Sequence, residues 1–458
     1  MGIRLASETA AARLVGRVSR LAGRGGGTTL PGKLLWKVDR GAVAELAGRL
    51  PLGSVVVSAT NGKTTTSTMV AELLAGSHRL AWNNAGANLT SGVSSALLAA
   101  RDAELGLFEA DEFALPAIVE TVRPRTIALG NLFRDQLDRY GELEHIAERW
   151  RDAIGGLPLA TTLVLNADDP LVAELGHRRD RVLYYGVDDP LVSRDSLQHA
   201  ADSKYCVRCG SPYDYTATYV GHLGAYRCPA CGHSRPPLDL AARSVVLEGL
   251  DAVTFQLSTP DGDARVRLPL PGLYNVYNAL AAAAVALTLE LPLAEIVAGL
   301  ERMRPAFGRF ERVELDDCEA IILLIKNPAG ANEALRTLEQ GGVPQTLVVA
   351  LNDDIADGRD VSWIWDVDFE SLLEEADRVV VTGARAEELA LRFVYGGLPE
   401  ERLEVVEDLE RALDRGVELA GPGGDLAVLP TYTAMLTLRA MLTERGLVRP
   451  FWERDGHA

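Results

Sequence analysis

The sequence predicts an α/β fold in two domains, and three observations carry that reading. Apolar, β-branched runs alternate with helical patterns from about residue 54, the pattern of a parallel sheet with crossover helices. One of these runs passes through a tight Gly62-Lys63-Thr64 turn into a helical stretch, as phosphate-binding loops do. A second alternating series begins beyond Phe307, which divides the 458 residues economically into 1–305 and a smaller Rossmann-like α/β domain, 306–458.

In the first series, strands are expected at Val55–Val57, Leu105–Phe108, Thr126–Leu129 and Thr161–Leu165, with a helix over Ser67–Leu74. Polar candidates follow each strand at its carboxyl end, where open α/β sheets bind ligands. Around 204–235 the composition turns to Cys, Tyr, Gly and Pro and the periodicity disappears, so this segment reads as an insertion held by something other than a core. Strand-like alternation returns at Ser244–Leu247, Val253–Leu257 and Ala264–Leu268, followed by an Ala-rich helix, Asn278–Leu289, and a short one to Arg302. The second series places strands at Ala320–Ile325, Thr346–Leu351, Arg378–Val381, Leu403–Val406 and Leu426–Leu429, with helices such as Glu333–Glu339 and Glu387–Arg392 between them.

The balance of 64 acidic against 46 basic side chains, a formal charge of -18, argues against nucleic acid or an anionic membrane surface as the main partner. The longest apolar stretch, Ala279–Leu289, ends at Glu290 and Pro292, short of the roughly 18 to 20 residues of a membrane span. The N-terminus carries Arg4, Arg13, Arg17, Arg20 and Arg24 and lacks the apolar core of a signal peptide, so a cytoplasmic chain is expected. That arginine stripe is read as a solvated face, with peripheral contact to lipid headgroups as the alternative. Only five lysines occur among the 46 basic residues, Lys33, Lys37, Lys63, Lys204 and Lys326. A lysine kept against such a bias suits a site where a compact ammonium meets a small anion.

The loop Thr60, Asn61, Gly62, Lys63, Thr64 and Thr65 is the expected ATP-phosphate site. Backbone amides and the helix N-terminus would cradle phosphates, Lys63 would reach the β/γ oxygens, and the Thr64 hydroxyl would ligate Mg²⁺. The match is to the Gly-Lys-Thr half of the pattern, because Val57 stands where the first glycine belongs. A Mg-ATP site also needs carboxylates, and Glu109 ends the apolar run just ahead of Asp111 and Glu112. A solvated acidic turn is the competing reading, weakest for Glu109.

Cys206-x2-Cys209 and Cys228-x2-Cys231, with 18 residues between the pairs, have the spacing of a tetrahedral zinc ribbon. Four thiolates leave no open coordination position, so the expected role of Zn²⁺ is to fold the insertion.

Five motifs in order then carry a family resemblance: Ala59-Thr-Asn-Gly-Lys-Thr-Thr, Asn131-Leu-Phe-Arg-Asp-Gln-Leu-Asp-Arg-Tyr-Gly141, Leu165-Asn-Ala-Asp-Asp-Pro170, Gly272-Leu-Tyr-Asn-Val-Tyr-Asn278 and Gly308-Arg-Phe-Glu311. In these the chain resembles the Mur ligases, which activate a carboxylate as an acyl phosphate and couple it to an amine. The resemblance implies a P-loop Mur ligase central domain over 1–305, interrupted by the zinc ribbon. It departs from the family at Ala59, where glycine is usual, and at Gln136, where histidine is usual, which weakens any second metal site. About 50 residues stand where a full ligase carries a UDP-sugar domain. The C-terminal domain reads Ile325-Lys-Asn-Pro-Ala-Gly330, Leu351-Asn-Asp-Asp-Ile-Ala-Asp-Gly-Arg-Asp-Val-Ser-Trp-Ile-Trp365 and Pro430-Thr-Tyr-Thr433. With the ribbon, these features are similar to the family's amidating subunit, which acts on D-glutamate in the lipid II stem peptide.

Carried over residue by residue, the resemblance implies that Glu109 is a metal ligand, that Asn275 approaches adenine, and that Arg309 reaches phosphate from the second domain. Asn84, in Asn83-Asn-Ala-Gly-Ala-Asn88, would lie near the substrate. Lys326 opens the loop expected to face the ATP site and to meet the acyl phosphate or the carboxylate. Glutamine hydrolysis needs an activated cysteine with a histidine base. Beyond the four ribbon cysteines only Cys318 remains, a bland surface or strand-edge position whose acidic neighbours Asp316, Asp317 and Glu319 would raise its pKa; six of the seven histidines precede the second domain. Ammonia would therefore come from a partner glutaminase, GatD in this family, forming a heterodimer. The resemblance implies that Asp360 orients that partner's histidine. The competing reading is that Asp360 caps the following turn. Two other functions stay open on sequence: a Mur or folylpolyglutamate-type ligase joining an amino acid to a carboxylate, and a nucleotide-binding zinc-ribbon scaffold that regulates a partner.

Overall fold

The computed structural model describes residues 29–83, 87–135, 143–194, 197–198, 201–304, 310–315 and 318–448. The arginine stripe from Arg4 to Arg24 and the expected boundary at 305 lie outside them.

Along the chain run β1 (Ser54–Ser58), β2 (Leu80–Trp82), β3 (Leu105–Glu109), β4 (Thr126–Leu129), β5 (Thr162–Asn166) and β6 (Val182–Val187). A separate hairpin, β7 (Asp214–Val220) and β8 (Leu223–Arg227), follows, then β9 (Leu240–Glu248), β10 (Ala252–Thr259) and β11 (Gly262–Leu268). All but the hairpin form one nine-stranded sheet in the order β11-β10-β9-β6-β5-β4-β1-β3-β2. Pairing is parallel from β2 through β9 and antiparallel for β9-β10-β11.

The sequence pattern follows from which faces are covered. The parallel strands β1, β3 and β4 are buried throughout, because helices lie on both sides. Val55, Val57, Leu105 and Leu107 pack beneath the helices Lys63–Leu74 and Leu273–Thr288. Val56, Phe108, Ile127 and Leu129 face the helices Leu115–Val122 and Leu143–Gly155. In β10, by contrast, Phe255 and Leu257 are buried while Gln256 between them is exposed, the alternation of a half-covered antiparallel strand.

The second sheet comprises β12 (Glu311–Leu315), β13 (Cys318–Ile322), β14 (Thr346–Ala350), β15 (Arg378–Thr382), β16 (Leu403–Val405) and β17 (Asp425–Pro430), ordered β12-β13-β17-β14-β15-β16. The last strand in sequence enters the middle of this sheet, pairing Pro430 with Ala350. The carboxyl ends of β14 and β17 therefore open side by side.

Several expectations are corrected. The helix expected from Asn278 starts at Leu273, and the one expected from Glu333 starts at Pro328, where Asn327 caps it and proline occupies the first turn. Strands β2 and β6 and the hairpin inside the insertion carry no strong alternation and lie outside the expected set; β12 alternates, with Val313 and Leu315 buried beside exposed Arg312 and Glu314, but is too short at five residues to stand out. Cys318 is buried at the start of β13, an interior strand of its sheet, and is not a surface residue. Among the described residues no helix is long and apolar enough to cross a membrane.

Candidate functional site

β1 delivers the chain to a tight turn, Ala59–Gly62, before the helix Lys63–Leu74. Gly62 has φ of +87°, and a Cβ there would lie 2.1 Å from Asn278 Oδ1, so conformation and space both require glycine. The turn is clamped from β4 onward. Asn61 N–H donates to Asn131 Oδ1 at 2.9 Å while Asn131 Nδ2 donates to Asn61 O at 3.0 Å. Phe133 N–H donates to Thr60 Oγ1 at 3.1 Å. No side chain caps the helix, whose first turn holds Lys63, Thr64 and Thr65. A preformed loop opening onto an uncapped helix N-terminus suits an anionic phosphate group.

β3 supplies the acidic side. Glu109 Oε1 accepts from Thr64 Oγ1 at 2.8 Å, and the reciprocal bonds of Asn83 to the Glu109 N–H and C=O, each 2.8 Å, fix its backbone. A hydroxyl and a carboxylate this close beside a phosphate loop make a donor set suited to Mg²⁺, which takes one or two protein oxygens and completes its shell with phosphates and water. Lys63 Nζ sits 2.9 Å from Glu112 Oε2 and 3.0 Å from Ala59 O, and both side chains are buried. Burial opposes both charges, yet their mutual attraction prevails: Glu112 is held below the usual carboxylate range and Lys63 above the usual lysine range. Asp111 is buried too, and its Oδ1 accepts from Phe113 N–H at 3.0 Å. The solvated acidic turn is thereby excluded.

The second domain closes over this loop. Lys326 Nζ lies 2.6 Å from Asp135 Oδ2. Asn327 exchanges side-chain hydrogen bonds with Asn61 at 3.0 and 3.2 Å while its Oδ1 also accepts from Gly330 N–H at 2.8 Å. One asparagine thus caps the helix Pro328–Gly341 and touches the phosphate loop. Arg194 and Glu333, 2.9 Å apart, tie the same helix to the first domain.

Asn275 stands one step behind the loop: its Oδ1 accepts from Asn278 Nδ2 at 3.0 Å, and Asn278 Oδ1 accepts from Thr66 Oγ1 at 3.2 Å. A small cleft lined by Asn61, Asn131, Asn166, Tyr185 and Asn278 adjoins the loop here. Asn131 and Asn278, not singled out from sequence, form the clamp; both belong to the quoted motifs, which was the available signal.

At the carboxyl ends of β14 and β17, buried Asp357 accepts from both the N–H (2.8 Å) and the hydroxyl of Thr433, and Asn352 Nδ2 donates to Thr433 Oγ1 at 3.0 Å. Asp360 is exposed. Its Oδ1 accepts from Ser362 N–H at 2.9 Å, and its hydrogen bonds from Ser362 hold its carboxyl below the usual range. The carboxylate is therefore ionised and outward-facing while also capping a turn.

The four insertion cysteines converge, with all Sγ atoms within 4.8 Å of one another, Cys206 to Cys231 at 3.6 Å and Cys209 to Cys228 at 3.5 Å. Those separations fit sulfurs about 2.3 Å from one tetrahedral metal ion. Around them the apolar cluster is only Tyr213, Tyr226 and the buried cysteines themselves, with Tyr215 beside it, too small to fold the segment alone. Asn84, Gln136 and Arg309 lie outside the described residues, so their expected roles find no geometry here.

Comparison with known proteins adds the following. The model of the Mur ligase middle domain matches residues 57–224, and that of the MurT ligase C-terminal domain matches residues 324–435. The chain is 34% identical over 450 residues, 96% of this chain and 98% of the other, to the lipid II isoglutaminyl synthase (glutamine-hydrolyzing) subunit MurT of Streptococcus pneumoniae. It is 34% identical over 437 residues to the protein so named in Staphylococcus aureus strain N315, covering 94% and 96% of the two chains. Among solved structures, a pseudomurein peptide ligase type C from Methanothermus fervidus superposes with a TM-score of 0.69 at 23% identity, over 88% of this chain and 80% of that one, which establishes the likeness of fold.

Proposed function

The chain belongs to the MurT family of Mur ligase-like proteins, and from that membership we propose how it works as the ligase subunit of a lipid II isoglutaminyl synthase. It is an ATP-dependent carbon–nitrogen ligase that amidates the α-carboxylate of D-glutamate in the lipid II stem peptide. The partner in this reading is the glutaminase GatD, the substrate is lipid II reached at the inner membrane surface, and the two working units are residues 1–305 and 306–458.

The observation that carries the reading is the meeting of the phosphate loop with the second domain, Asn61 with Asn327 and Asp135 with Lys326. A γ-phosphoryl group on that loop would then lie between Lys63 and Lys326. Lys63 would turn from Glu112 to the β/γ oxygens, and Thr64 and Glu109 would hold Mg²⁺, which spreads the charge of the transferring phosphoryl group. The substrate carboxylate attacks the γ-phosphorus, ADP leaves, and the acyl phosphate remains beside Lys326. Ammonia then attacks the carbonyl carbon, a proton is lost, and inorganic phosphate departs. Lys326 stabilises the growing negative charge on the acyl and phosphate oxygens, the kind of fixed cation whose effect is strongest once water is excluded. Zn²⁺ in this reading holds the four cysteines and takes no part in the chemistry.

Isotope-traced amidation tests the proposal: purified chain, lipid II, ATP and ammonium should yield isoglutaminyl product and ADP in equal amounts. Turnover with an amino acid in place of ammonium, or no turnover with either, would overturn it.

A further inference from the structure

The short helix Leu30–Val38 takes no part in the chemistry described above, and its outer face is too apolar for one that meets only water. Gly32 and Leu35 are buried, whereas Leu30, Lys33, Leu34, Lys37 and Val38 are exposed, the last by 65%. Those five positions follow the i, i+3, i+4, i+7, i+8 spacing, so they share one face of the helix. A surface helix ordinarily turns polar residues outward along such a stripe. Here three aliphatic side chains stand in it, with two lysines between them.

The lysines are as unusual as the leucines. The chain has only five, and two of them fall on this one face. Lys63 and Lys326 each meet a carboxylate, but Lys33 and Lys37 make no ion pair among the described residues. Arg40, also exposed, lies with its guanidinium 5.5 Å from the ring of half-buried Trp36. In the sequence, residues 1–41 hold eight basic and two acidic side chains, the reverse of the balance that gives the whole chain its charge of -18. The net charge speaks against broad attraction to an anionic surface, and this end of the chain is its local exception.

Leucines beside lysines with no carboxylate to hold them suit a lipid interface, where apolar side chains enter the acyl boundary and ammonium groups reach headgroup phosphates. A protein partner fits less well, because lysine is depleted from protein–protein interfaces.

Position gives the face its use. Gly32 N–H donates to Ser95 Oγ at 3.0 Å, and a Cβ on Gly32 would fall 2.0 Å from Ser91 O, so the helix packs its backbone against the start of the helix Thr90–Ala99. Just ahead of that second helix, beyond the carboxyl end of β2, Asn83 Nδ2 donates to Ala87 O and to Glu109 O, each at 2.8 Å. The exposed stripe thus borders the sheet edge that carries Glu109 and the phosphate loop.

We propose that the helix Leu30–Val38 is a docking surface for an anionic lipid bilayer, which brings this sheet edge to a substrate held in the membrane. The inference deepens the amidation reading above, whose substrate is lipid-borne.

The test is sedimentation of the full-length chain, alone and with its glutaminase, with vesicles of phosphatidylglycerol or of phosphatidylcholine, which requires no turnover. The chain should bind the phosphatidylglycerol vesicles, lose most of that binding at about 0.5 M salt, and leave the phosphatidylcholine vesicles unbound. The double replacement Lys33→Gln, Lys37→Gln should weaken binding at least about tenfold, since each basic side chain near such a surface contributes about fivefold. Leu34→Ser with Val38→Ser should weaken it as well, by removing the apolar anchor. All four positions are exposed, so melting temperatures should match the wild type, and the lysine pair keeps the test sound if the serine pair does not. A wild type that ignores phosphatidylglycerol, or a lysine variant that binds it as the wild type does, overturns the proposal. So does a changed oligomeric state or a lost glutaminase in the variants, which marks the face as a protein interface. A wild type that binds vesicles through this helix but amidates lipid II with neither ammonium nor glutamine removes the amidation reading and leaves the docking surface standing.

Discussion

Lys63 and Glu112 form a buried ion pair, 2.9 Å apart, at the base of the phosphate loop. The lysine that is to meet ATP is thus already held by a carboxylate, and the two replacements should separate its roles. Lys63→Ala removes the cation required at the transferring phosphoryl group and should lower amidation at least about 10³-fold even with ammonium supplied. Glu112→Gln keeps an acceptor but takes from Lys63 its ion-pair partner, leaving only the more distant Asp111 and Glu109, which should cost about 3 kcal/mol of stability. Removing that negative charge should at the same time tighten nucleotide binding by about 1 kcal/mol, roughly fivefold in Kd. Denaturant unfolding and calorimetric nucleotide titration check the opposite signs; weaker nucleotide binding in Glu112→Gln would mean that the carboxylate serves the bound state.

Gly62→Ala probes the loop from its backbone. At φ of +87° an alanine is strained, and its Cβ would fall 2.1 Å from Asn278 Oδ1, displacing the clamp that Asn278 makes with Thr66 and Asn275. Strain of this kind costs on the order of 1–3 kcal/mol before the clash is counted. The expected outcome is a folded protein with a lowered melting temperature and ATP binding weakened at least about tenfold. Wild-type affinity would show that the loop re-forms without the clamp.

The parts of this site that the sequence made legible are those held by neighbours in the chain. Gly62, Lys63 and Thr64 follow a strand and open a helix, and the spacing of the paired cysteines foretells their convergence. Strands β1, β3 and β4 were readable because full burial writes them as unbroken apolar runs. What was hidden depends on distant partners: Asn278 meets Thr66 across 212 residues and Asn327 meets Asn61 across 266. No local pattern says which asparagine will find a loop or cap a turn. Glu112 shows the same limit, since an acidic turn reads as solvated until its lysine is located. His222, between β7 and β8, looks like an ordinary hairpin-turn residue, yet in the fold it is buried with its ring 4.9 Å from that of Phe133 and its Nε2 3.4 Å from Asp169.

For the cysteine cluster, native mass spectrometry of freshly purified, reduced protein should show one zinc per chain. Cys206→Ser should lose it. With so little apolar surface in the insertion, a metal held there would supply most of its folding free energy, which is about 10–16 kcal/mol in zinc-finger peptides. Loss of zinc should therefore make the 204–235 segment sensitive to protease while the nine-stranded sheet stays folded. A metal-free wild type of full protease resistance would remove the zinc assignment.

The last prediction separates two carboxyl-end loops of the second domain. Asp360 is exposed and ionised, whereas Lys326 reaches inward to Asp135. If Asp360 orients the partner's histidine, it matters only while glutamine is the nitrogen donor, because a triad carboxylate fixes the imidazole tautomer and stabilises the imidazolium. Asp360→Asn should then lose glutamine-dependent amidation by up to about 10⁴-fold and keep most of the ammonium-dependent rate. The amide can still accept from Ser362, so the turn itself should survive, and an unchanged melting temperature would verify that. Lys326→Ala should lose both activities, since it strips the cation from the acyl phosphate and leaves Asp135 unpaired. The measured quantity is the ratio of rates with glutamine and with ammonium for each variant in complex with the glutaminase. Equal losses with both donors in Asp360→Asn would sink the intersubunit role and leave that carboxylate as a cap on the turn that Ser362 begins.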